Sequence, residues 1–105
     1  MVQRRDKGLR TQRKVKEWLE SLEYKVYMVP HSRWSKDIWG LWDGLALNEE
    51  QFFFFQVKTN VTGIIKKTLP HKEFCEKYNV TGKIFNVVEK KNKWQVIMYG
   101  STSPK

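Results

Sequence analysis

Asp43 and the triplet Gln56-Val57-Lys58 are the residues of this chain whose types and spacing suit a chemical task. Asp43 opens the run Asp-Gly-Leu-Ala-Leu, and after Asn48, Glu49 and Glu50 the chain continues Phe52-Phe-Phe-Phe-Gln-Val-Lys58. Two apolar runs around a polar turn predict a β-hairpin. With Leu47 opposite Phe52, cross-strand partners keep a constant residue sum, which sets Asp43 directly opposite Gln56. Opposed residues of an antiparallel pair share a face, their Cβ atoms roughly 5 Å apart, and Lys58, two residues on, shares it too. One carboxylate, one amide oxygen and one ammonium therefore converge at a hairpin end.

Hydrolysis of a phosphodiester needs a cation that neutralises the phosphate and acidifies the attacking water. Magnesium takes oxygen ligands, few of them from protein. Asp43, Gln56 and the backbone carbonyl of Val57 are thus the candidate metal ligands, with Mg2+ the expected ion and Mn2+ its substitute. Lys58 would orient or deprotonate the water, or stabilise charge on the transition state. Taken singly, an Asp at a strand start is more often a turn or capping residue, and a Lys near a strand end is usually solvated. Their alignment carries the chemistry.

The elements that must position them follow from periodicity. Val15, Trp18, Leu19 and Leu22 form an i, i+3, i+4, i+7 stripe, which predicts a helix from about Lys7 to Leu22. Carried backward, the stripe meets Gln12, a polar group on the inward face that needs a partner and can reach the cluster. Tyr24 to Pro30 reads as a strand ended by Pro30, and a loop runs from His31 to about Leu41. A second helix starts near Pro70 and reaches about Tyr78; Lys83 to Glu89 and Trp94 to Tyr99 are two more strands. Trp39 and Trp42 read as core, and Phe52 to Phe55 put aromatics on both faces of their strand. The order α-β-β-β-α-β-β predicts an α/β fold, a mixed five-stranded sheet flanked by helices. Residues 1–105 read as one domain, with 1–6 a basic arm and 101–105 a frayed tail.

Lys and Arg outnumber Asp and Glu by 20 to 11, a formal net charge of +9. Such a balance favours a polyanionic partner, most simply nucleic acid. Arg4, Arg5, Lys7, Arg10 and Arg13 crowd the arm and first helix, with Ser32, Arg33 and Lys36 in the loop and Lys66 and Lys67 after the hairpin; all are candidate phosphate contacts. A plain solvated face is the competing reading. There is no lipidation signal and no apolar run of spanning length, and no secretion signal, so the expected location is cytoplasmic without membrane contact. The lone Cys75 suits a reducing compartment or a small buried position.

On these residues the chain resembles the PD-(D/E)xK nuclease fold with its restriction-endonuclease-like core, and most closely the archaeal-type Holliday junction resolvases. The resemblance spans about Lys7 to Tyr99. It rests on Lys-Gly at the first helix with a polar residue four positions after Gly8, Asp43 followed thirteen positions later by Gln-Val-Lys, then a helix and a hairpin whose last strand begins at Trp94. By position, Gln12 falls on the family's helix glutamate, Asp43 on its aspartate, Gln56 on its triplet acid and Lys58 on its lysine. Both amides depart from that pattern, though Gln-x-Lys looks like a variant found in Mrr-type branches. Asp43 is left as the one well-placed anion, with Asp37 the candidate auxiliary acid or else a loop cap. The resemblance implies a Mg2+-dependent DNA endonuclease acting on four-way junctions or other branched duplex as a homodimer. A general or restriction-like DNase of the same fold, and a non-catalytic DNA-binding module with a degenerate site, are the alternatives.

Overall fold

The computed structural model describes the backbone of residues 3–30, 37–91 and 93–100, with side chains from residue 10 onward. Helix α1 (Gln3–Ser21) leads to strands β1 (Lys25–Met28), β2 (Gly44–Leu47) and β3 (Phe52–Thr59). Helices α2 (Ile64–Lys67) and α3 (Leu69–Tyr78) follow, then β4 (Gly82–Val88), a short 3-10 turn over Glu89–Lys91, and β5 (Lys93–Tyr99). The five strands lie in the sheet in chain order. Every neighbouring pair is antiparallel except β3 and β4. That parallel pair needs a crossover, which α2 and α3 supply. The fold class is as the sequence predicts.

Burial on both faces explains the apolar run of β3. Phe53, Phe55 and Val57 join Val15 and Leu19 of α1, with Ala46, Phe85 and Val87, in one core layer. Phe54 points to the opposite face, where Trp42, Ile64, Cys75, Ile84 and Tyr99 form the second layer. Gln56 and Lys58 follow Phe54 by alternation and share that second face.

Several details differ from the sequence reading. Helix α1 begins at Gln3, so Arg4 and Arg5 stand on a helix and not on an arm. Arg, Gln and Lys are good helix formers, and a dense charge alone does not end a helix. The innermost line of α1 is Thr11, Val15 and Leu19, all buried, an i+4 row. Gln12 flanks it, half-buried. Trp18 and Leu22 are exposed; Trp18 lies at the margin with its ring edge-on to Phe85 and Trp94. Trp42 is core, but Trp39 is 71% exposed. Helix α2 was hidden in a stretch that reads as polar connection, because four residues are too few for a period.

Candidate metal and nucleic-acid site

The backbone of β3 meets Asp43 just before β2, at Phe55 and Val57. Asp43 precedes β2, its carbonyl accepting the Val29 N–H (2.9 Å) and its own N–H donating to the Phe55 carbonyl (2.8 Å). The constant-sum register runs from Leu47↔Phe52 to Gly44↔Phe55, so its next step would oppose Asp43 and Gln56. The Asp43 N–H instead reaches the carbonyl of Phe55, the residue already paired with Gly44. A ladder step of this kind re-aims the side chain at a strand end. The Asp43 carboxylate then accepts the Val57 N–H through Oδ2 (2.8 Å). The next position must be Gly44, because a Cβ there would collide with the Tyr27 carbonyl of β1.

Asp43 is 6% exposed. Burial pushes its carboxyl up to about 6; the negative charge of Asp37 adds to the rise, while the Val57 N–H and the positive charge of Lys58 oppose it. Gln56 is 8% exposed, and its Oε1 is a buried acceptor with no hydrogen-bond donor among the described residues. Such an orphan oxygen costs about 1–3 kcal/mol unless a cation or donor meets it. Val57 directs its carbonyl to the same strand edge as its N–H, the edge that carries the Asp43 carboxylate. One buried carboxylate, one orphan amide oxygen and one backbone carbonyl are an all-oxygen donor set that fits a magnesium-type ion. Among the described residues no three His, Cys, Asp or Glu side chains group to hold a metal by themselves.

Lys58 is half-buried, and its charge acts on both Asp43 and His71. The negative charge of Asp37 acts on the same two groups. Gln12 borders a groove with Met28, Val29 and Pro30. It lies at the end of β1 where Val29 bonds Asp43, on a helix that packs against the other face of the sheet.

His71 is a neighbour that stands in the basic stretch Lys66, Lys67, His71, Lys72 but does not share its exposure. It is buried, edge-on to Trp42 at 4.8 Å, with Nε2 2.8 Å from the Leu41 carbonyl. Burial lowers its pKa, and the Lys58 charge lowers it further. The i, i+4 pairing of His71 with buried Cys75 is the signal that assigns it to the inward line of α3.

Of the candidate phosphate contacts, Arg10 and Arg13 are exposed on α1, and Lys66 and Lys67 on α2. Arg10 pairs with Glu89 at 3.5 Å. Thr11 bonds Thr59 (2.9 Å), which seats the first half of α1 at the end of β3, the end from which the chain proceeds to α2. Both basic helices therefore flank the end of the strand that carries Lys58. Ser32, Arg33 and Lys36 lie outside the described residues, as do the side chains of Arg4, Arg5 and Lys7.

No family model and no curated protein sequence matches the chain. Among solved structures it is similar to Hjc of Archaeoglobus fulgidus, a Holliday junction resolvase from an archaeal hyperthermophile. The superposition has a TM-score of 0.58 at 14% identity and covers 86% of this chain and 75% of that one. The two share a fold. At that identity the likeness establishes the architecture, and the chemistry has to be argued from the side chains. Among the described residues no helix is long and apolar enough to cross a membrane.

Proposed function

We propose that this chain is a metal-dependent DNA endonuclease, acting on four-way junctions or other branched duplex as a homodimer in the manner of the resolvases whose fold it shares. The observation that supports this reading is the bond from the Val57 N–H to the buried Asp43 carboxylate, Val57 lying between Gln56, whose buried oxygen has no donor among the described residues, and Lys58, in that fold. Bound Mg2+ or Mn2+ would neutralise the scissile phosphate and lower the pKa of the attacking water. Asp43 supplies the anionic oxygen and is held in place by the Val57 N–H. Gln56 and the Val57 carbonyl supply neutral oxygens. Lys58 orients the water or stabilises charge as the phosphate is attacked, and Gln12 and Asp37 support the shell. Arg10, Arg13, Lys66 and Lys67 hold phosphates on either side, which positions DNA without reading its sequence.

The two amides, Gln12 and Gln56, favour a second reading, a DNA-binding module whose nuclease site has lost its charge. Incubation of the protein with a labelled four-way junction and with the matching linear duplex, in Mg2+ or Mn2+, separates the readings. Paired symmetric nicks in the junction support a resolvase, cuts throughout both substrates a general DNase of the same fold. Binding with no cut in either metal supports the second reading.

A further inference from the structure

Beside the site, on the same face, lies a cleft of about 480 Å³ lined by Trp39, Phe54, Phe74, Tyr78 and Val80. Its volume is in the range of small-molecule sites, yet among the described residues its lining has no buried polar group to recognise one. Phe54 and Phe74 make the floor, 5.9 Å apart and perpendicular. Trp39 leans on both at 5.9 and 5.5 Å, and Tyr78 stands against Phe74 at 4.9 Å. The two walls are the exposed ones, Trp39 at 71% and Tyr78 at 56%.

Trp39 is held there by a backbone that a bulky residue seldom adopts. The turn Ile38–Leu41 closes with the Leu41 N–H on the Ile38 carbonyl (2.9 Å), and φ is +50° at Trp39 and +73° at Gly40, the type I′ pattern. That turn prefers Asn-Gly. A left-handed non-glycine residue costs about 1–3 kcal/mol and points to a functional constraint. An aromatic ring pushed into solvent by a strained turn is not core packing.

We infer that this cleft receives an unpaired nucleobase adjacent to the scissile phosphate, stacked between Trp39 and Tyr78. The inference rests on the nuclease reading above and names its substrate class: DNA with at least one base out of the duplex stack. Three observations select a nucleotide as occupant. The chain carries +9, which draws a polyanion. Lys77 places its Nζ 5.4 Å from the Tyr78 ring centroid, a cation at the rim where the phosphate of a seated nucleotide would lie. Phe54 and Gln56 are two residues apart on one face of β3, about 7 Å, so a base on Phe54 brings its phosphate chain to the metal ligands. Flat rings with no polar partner stack any base, and tolerate sequence.

The test uses the full chain, in EDTA, with a duplex carrying one unpaired 2-aminopurine and with its fully paired counterpart. Wild type should quench the 2-aminopurine and prefer the unpaired substrate. Trp39→Asn should cut that preference roughly 5- to 150-fold, the range of one lost base stack, while the urea midpoint stays equal or rises because Asn suits the turn. Tyr78→Ala, at an exposed position, should act in the same direction. An unchanged preference in both variants overturns the inference, and so does a Trp39→Asn protein that changes from dimer to monomer, which would make the cleft an interface between copies. Quenching and preference retained in Asp43→Asn support the base site independently of cutting. If wild type quenches but cuts no DNA in any metal, the nuclease reading fails and the base site stands. If it cuts junctions with the same selectivity after Trp39→Asn, the base site fails and the nuclease reading stands.

Discussion

Asp43→Asn should make the metal-free protein more stable at neutral pH while removing its activity. The carboxyl rises from 3.8 to about 6 on folding, and at 1.36 kcal/mol per pH unit the buried charge costs the fold about 3 kcal/mol at neutral pH. Asn keeps the acceptor for the Val57 N–H but places a new amide N–H2 in a buried position, which returns about 1 kcal/mol. The net gain is about 2 kcal/mol. Its sign with pH follows from linkage. The folded state binds the extra proton between 3.8 and about 6, so wild-type stability falls as pH rises through that window, and the charge cost is complete above it. Asn has no such dependence at this position. Urea unfolding should therefore show the variant midpoint higher by about 1–2 M at about pH 7.5, for a slope of about 1–2 kcal/mol/M, with most of the difference gone near pH 4. Saturating Mg2+ reverses the order, because a ligand at about 100 times its Kd adds about 2.7 kcal/mol to the state that binds it. A variant less stable than wild type at about pH 7.5, or a difference that does not change with pH, would refute the reasoning.

Gln56→Glu puts a second carboxylate on β3, one residue from the Val57 N–H that Asp43 accepts. It should tighten Mg2+ binding, read by calorimetric titration, and lower metal-free stability by about 1–3 kcal/mol at neutral pH, since two buried like charges disfavour one another. Combined Arg13→Gln, Lys66→Gln and Lys67→Gln should weaken junction binding and reduce the slope of log affinity on log salt by about 3 if all three meet phosphates, measured by anisotropy over a salt series. Gly44→Ala should destabilise the fold by about 2 kcal/mol or more through its collision with the Tyr27 carbonyl, seen as a lower thermal midpoint, with any remaining activity reduced because Asp43 is displaced.

Much of the fold was legible because its elements carry strong local signals. The β2–β3 register followed from the turn and the apolar runs and is observed from Leu47↔Phe52 to Gly44↔Phe55, but it does not extend to the expected Asp43–Gln56 pair, because Asp43 bonds Phe55. The sequence could not show that the ladder steps at Asp43 and sends its carboxylate to the Val57 N–H, since a one-residue step depends on where Val29 and Phe55 arrive from other strands. The inward line of α1 was shifted by one position, to Thr11, because Thr11 finds its partner in Thr59, 48 residues away. His71 is surrounded in sequence by lysines yet turns inward beside Trp42, and Trp39, which reads as core like Trp42, is turned outward by its left-handed turn. Long-range contacts decided Asp43, Thr11 and His71, and a local turn decided Trp39.

The most direct measurement is the initial rate of strand cleavage on a labelled four-way junction by wild type and Asp43→Asn, each in Mg2+, in Mn2+ and in EDTA. The expected result is cutting by wild type in either metal, none in EDTA, and none by the variant although it folds and binds the junction. Cleavage by wild type in EDTA, or equal cleavage by Asp43→Asn, would contradict a metal site built on Asp43.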